Sequence, residues 1–180
     1  MTSINNKLLI ENIYTNIVKT SRNKSFFLDF NVDDTVEGRF DIIILHSFIV
    51  FNFFIHINDR KSSLPHMLFD HMFHDFDSSL REMGFGDIAV NKRMKQFIKA
   101  FYGRIKNYSE SLFRFNKLAD DTLLKKTILR NIYKDKEIQS EFIDFWSDYI
   151  INNVNYINAK TLKENTNQFF MFKLNNSYEK

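Results

Sequence analysis

The sequence predicts an all-α fold, a single-domain helical bundle of six or seven helices around one central apolar helix. Three observations predict it. Four glycines and one proline in 180 residues are too few for the tight turns of a sheet protein. Apolar residues return at helical spacing along several segments. One stretch, Ile42 to Ile57, is apolar on nearly every side, as a helix at the centre of a bundle must be.

Each element follows from its own residues. Ile10, Ile13, Tyr14 and Ile17 stand at i, i+3, i+4 and i+7 and give a first amphipathic helix. Ser21 to Asp34 holds a short helix and a turn. Asp33, Asp34 and Thr35 offer N-caps for the long apolar helix that follows. That helix is bounded by Arg39, Asp41, Asp59, Arg60 and Lys61, and it carries His46 and His56, so a bundle core is favoured over a membrane span. After a polar loop, Asn58 to Ser63, Ser63 is placed to cap the next helix, with Pro65 in its first turn. Its apolar face is Phe69, Met72, Phe73, Phe76, Leu80 and Met83, and Gly84 stops it. Asp87 is expected to cap a fourth long helix reaching Tyr108, with Met94, Phe97, Ile98, Phe101, Ile105 and Tyr108 inward. Two further helices are expected, roughly 117–133 and 136–154. A polar tail from about Asn155 is expected to fray.

Composition narrows the chemistry. There is no cysteine, which removes disulfides, thiol catalysis and thiolate metal sites. The net charge of +3 is too small to imply DNA. No P-loop, dinucleotide fingerprint, nucleophile elbow or zincin motif is present, so neither a catalytic residue nor a small-molecule substrate is assigned. Asp70, His74 and Asp77 share one face of the third long segment, but Arg81 on the same stripe repels a cation. The i, i+4 pairing of these residues reads better as a solvated stripe, and no metal and no cofactor are assigned. His46 and His56 lie ~15 Å apart along a helix, too far for one haem. Lys92, Lys95, Lys99 and Lys106 form a stripe opposite an apolar face, either a plain solvated face or a contact for an anionic surface, ribosomal or lipid.

From Asp34 to Tyr108 the chain resembles the ubiquinol–cytochrome c chaperone family, as a bacterial-type member. The matching stretches are DTVEGRFDIIILHSFIV (Asp34 to Val50), LFDHMFHDFDSSLREMGFGDIAVNKRMK (Leu68 to Lys95) and KAFYGRI (Lys99 to Ile105). A weaker echo follows at LRNIY (Leu129 to Tyr133), giving a family-like core over 34–133. His71 and His74 stand where the family pattern has small residues.

The resemblance implies an assembly chaperone, not an enzyme. Such a protein binds newly made cytochrome b and supports biogenesis of the respiratory bc1 complex. It is cytoplasmic or peripheral at the inner face of the cytoplasmic membrane, with the ribosome or that membrane as further partners. Phe85 between two glycines and Tyr102 beside the lysine stripe are the candidate client contacts, with Asp70, Asp77, Arg81 and Glu82 as polar candidates. Arg39, Asp41 and Asp87 serve the fold or the client. Two rivals remain open: a metal- or haem-handling protein using His46, His71 or His74, and a ribosome or anionic-membrane adaptor acting through the lysines.

Overall fold

The computed structural model describes residues 2–56, 63–159 and 171–173, and it contains seven helices and no strand among them. They are α1 (Thr2–Ser21), α2 (Lys24–Leu28), α3 (Val36–His56), α4 (Leu64–Glu82), α5 (Asp87–Leu118), α6 (Thr122–Tyr133) and α7 (Ser140–Asn158). Ile57, most of the loop that follows it and most of the C-terminal tail lie outside the described residues.

α3 is the axis of the bundle. It packs against α1, α5, α6 and α7, while α4 bridges α1 and α5. By length and composition alone α3 could cross a membrane, but 72% of its most apolar window is buried inside the bundle. Its beginning is fixed locally. Thr35 Oγ1 accepts a hydrogen bond from the Gly38 amide at 3.0 Å. A Cβ on Gly38 would stand 1.9 Å from the Asp33 carbonyl oxygen, so only glycine lets the chain before α3 fold back this closely.

Several local expectations shift. Ser63 makes no side-chain capping bond at the start of α4. Gly86, not Asp87, is the N-cap of α5, and Asp87 is its first helical residue. The end of α4 follows the sequence reading, with Gly84 in the left-handed region at φ 86°. Helix α5 runs ten residues beyond Tyr108, because Tyr108, Leu112 and Phe115 continue its inward stripe. It ends at Ala119, whose φ is 52°. Met83 and Ile98, assigned to inward faces, are exposed instead. Helix α7 passes Asn155 and continues to Asn158. The segment 171–173 docks on it, with the Asn153 side chain accepting from the Lys173 amide and donating to its carbonyl.

Candidate functional site: a fingerprint lattice beside an apolar groove

Some polar residues of the matching stretches meet in two clusters. The first ties α3, α5 and α6. Asp41, from the start of α3, is buried. Its carboxylate meets Arg104 Nη2 at 2.5 Å and is also paired with Lys134. Arg104 lies over the Phe40 ring at 5.5 Å. Burial pushes the Asp41 carboxyl above its ordinary value, against the lowering effect of the two cations. Nearby, the Tyr108 hydroxyl is raised by burial and by the Asp41 charge. These residues come from the separate segments GRFD and FYGRI, and Lys134 follows directly on LRNIY.

The second cluster closes the α4–α5 turn. Arg81 bonds Asp77 at 2.6 Å and is paired with Asp87 across the turn. Arg93 holds Glu37 of α3 at 2.5 Å and sits 4.6 Å over the ring of Phe85. Phe85, read from the sequence as an exposed aromatic, is therefore half-buried against the core, under a guanidinium. Asp70 and Glu82 are exposed on α4. Tyr102 is exposed, with one face against Phe69 at 5.7 Å.

The histidines hold no common site. His46 is fully buried. Its Nδ1 donates to the Ile42 carbonyl at 2.8 Å and lies 2.9 Å from Ser21 Oγ, and its Nε2 accepts from the Tyr149 hydroxyl at 2.8 Å. With both nitrogens engaged it is a core residue, and burial lowers its pKa to about 4. His71 packs edge-on against Tyr14, and His74 is exposed. Among the described residues no three His, Asp or Glu side chains gather as metal ligands.

The structure also holds a feature the sequence did not reveal. A groove of about 160 Å³ opens among the end of α1, the start of α3, the end of α4 and α5. Its floor is aromatic: Phe40 stacks on Phe97 at 4.1 Å and meets Phe76 at 5.3 Å. Val18, Ile43 and Met83 contribute to its sides, and Arg22, Arg39 and Asp75 bring charge to its lining. Met83 is 59% exposed. A shallower recess continues from Val18, Arg22 and Asp75 towards Tyr14 and His71. There the Tyr14 hydroxyl donates to Asp75 at 2.7 Å. The groove has room for an apolar side chain but not for a whole helix, so it is suited to anchoring one residue of a larger ligand.

Comparison with known proteins adds a family. A family model described as Ubiquinol-cytochrome C chaperone matches residues 28–164. The crystal structure of the Cbp3 homolog from Brucella abortus is similar, with a TM-score of 0.77 and 28% identity, over 96% of this chain and 92% of that one. No curated protein matches the chain. The matched residues include both ion clusters and most of the groove, while Tyr14, Val18 and Arg22 precede them.

Proposed function

Because this chain belongs to the ubiquinol–cytochrome c chaperone family, we propose that it is a non-catalytic assembly chaperone whose client is newly made cytochrome b, and that the groove over Phe40, Phe76 and Phe97 anchors that client. The family supports a client protein, and one observation carries the location. Residues of the matching stretches make most of the lining of an apolar groove that is open to solvent. Gly38 sets the entry of α3, Arg39 lines the groove, and the Arg81 and Arg93 pairs hold the α4–α5 turn that carries Met83.

Cytochrome b is a membrane protein and is apolar over most of its surface. A bundle with an apolar groove and charged edges can bury one of its side chains and leave the rest of the client near the bilayer. Burial supplies about 25 cal/mol per Å² of apolar surface, offset by ordering costs, so the contact is reversible. The protein would act in the cytoplasm or peripherally at the inner face of the membrane. Phe85, the client contact assigned from the sequence, is half-buried in the turn, and Met83 is the exposed apolar side chain at the groove. Asp77 and Arg81 serve the client through the shape of the turn, and Asp70 and Glu82 lie on the exposed surface of α4.

Affinity capture from the protein's own cells tests this. Cytochrome b should co-purify with the parent chain and be reduced about tenfold by Met83→Glu, a change at an exposed position that leaves the melting temperature unchanged. Capture without cytochrome b, or capture indifferent to Met83→Glu and to a groove-filling Ser79→Trp, overturns the reading.

A further inference from the structure

Helix α5 carries no acidic residue from Ile88 to Ser109, but six cations: Lys92, Arg93, Lys95, Lys99, Arg104 and Lys106. The fold sorts them. Both arginines turn inward and are neutralised by acids of α3, Arg93 by Glu37 and Arg104 by Asp41. All four lysines turn outward and are exposed. Lys106 has only a loose 3.8 Å pair with Glu110, and the other three have no ion pair among the described residues. The charge that α5 presents to solvent is thus positive along about 21 Å, at 1.5 Å per residue.

Two apolar side chains lie in the same stripe. Ile88 is 88% exposed and Tyr102 is 59% exposed. On a helix of 3.6 residues per turn, Ile88, Lys92, Lys95, Lys99, Tyr102 and Lys106 fall within an arc of roughly 80°. The spacing alternates four and three residues, so the six form a straight row. What sets Ile88 and Tyr102 apart from scattered surface apolar residues is their place in line with the lysines, the pairing of apolar and cationic side chains that an interfacial helix presents to headgroups.

We propose that this face of α5 docks the protein on the surface of a bilayer bearing anionic lipid headgroups. The lysines lie along the headgroup phosphates, and Ile88 and Tyr102 enter the headgroup–acyl boundary beside them. Charge complementarity selects the partner. Like charge along the row opposes pairing with a second copy of this chain. RNA phosphate would suit the lysines but would leave Ile88 without an apolar partner, and the guanidiniums best shaped for phosphate recognition are turned inward. The row begins five residues after Met83, so docking holds the client groove close to the membrane. The inference is independent of the identity of the client.

The test is co-sedimentation of the full chain with vesicles of phosphatidylcholine alone and of phosphatidylcholine mixed with phosphatidylglycerol. Binding is expected to the mixed vesicles only, and to fall with added salt. At about fivefold per lysine, the triple variant K92E/K95E/K99E should lose binding on the order of a hundredfold. Ile88→Ser should lose it about tenfold while keeping all the charge. Circular dichroism should show both variants folded. If the triple reversal unfolds, the milder K95Q/K99Q serves in its place and should lose on the order of tenfold or more. A single-stranded RNA oligonucleotide is the competing probe. Absent binding to mixed vesicles, binding unchanged by charge reversal or by Ile88→Ser, or tighter binding to the RNA would each overturn the proposal.

Discussion

Replacing Arg104 by Met should expose how much the fold depends on the buried ion cluster. Methionine keeps the volume near Phe40 but removes the charge that faces Asp41 at 2.5 Å. Breaking a fully buried ion pair costs about 3–5 kcal/mol, because the abandoned charge keeps its desolvation penalty. Here Lys134 still faces the carboxylate and Arg104 is itself 16% exposed, so the expected loss is nearer ~2–3 kcal/mol. For a chain of this size that lowers Tm by about 5–10 °C. Making the change in an Asp41→Asn background removes the stranded charge, and the double variant should return to within about 1 kcal/mol of the parent.

The pH dependence has a definite sign. Burial already raises the Asp41 carboxyl, so the folded state binds its proton more readily than the unfolded chain. That preference strengthens once Arg104 is gone. The gap between parent and R104M should therefore narrow as pH falls through the carboxylate range and widen above it. Thermal melts followed by circular dichroism at several pH values check this. An R104M melt equal to the parent's, or a double variant no better than R104M, would refute the cluster's structural role and free Arg104 to act as a client contact.

Other outcomes follow from the same geometry. Gly38→Ala should cost about 2 kcal/mol or more in denaturant unfolding, because its methyl group meets the Asp33 carbonyl. The buried, neutral His46 has a pKa lowered from 6.5 to about 4, so the unfolded chain takes up its proton first as pH falls. Stability should drop by about 3 kcal/mol between those values, and His46→Gln should remove that acid sensitivity. Phe85→Ala should lower stability by about 1–2 kcal/mol through lost packing and the lost Arg93 contact, while capture per folded molecule stays normal. Full stability with weakened capture would return Phe85 to the client site.

The helices were legible because their inward residues repeat at the helical period, as Ile10, Ile13, Tyr14 and Ile17 do, all buried as that spacing requires. Their ends were less so. α5 runs on past the expected end at Tyr108, where the Ser111 hydroxyl bonds the Asn107 carbonyl and the Thr127 hydroxyl. Asp41 was visible as part of a motif, but its pairing with Lys134 spans 93 residues and no local pattern encodes it. The groove was illegible for the same reason. Phe76 and Phe97 read as core positions and Phe40 as part of a motif, and only the approach of four helices leaves a space among them. The lysine stripe was plain in the sequence, whereas the exposure of Ile88 within it was not, since exposure depends on which neighbours arrive.

The central claim is that the groove at the start of α3, not another apolar surface, holds cytochrome b. A photo-crosslinking residue at Met83 or at Val18 tests it most directly, with one at Phe113 as the comparison. Phe113 is also exposed and apolar but borders a different recess, near Asn52 and Ile55 at the far end of α3. Irradiation in cells making cytochrome b should give a crosslinked product with it from Met83 and Val18 and none from Phe113. Crosslinks from Phe113 alone, or equally from all three positions, would contradict the account.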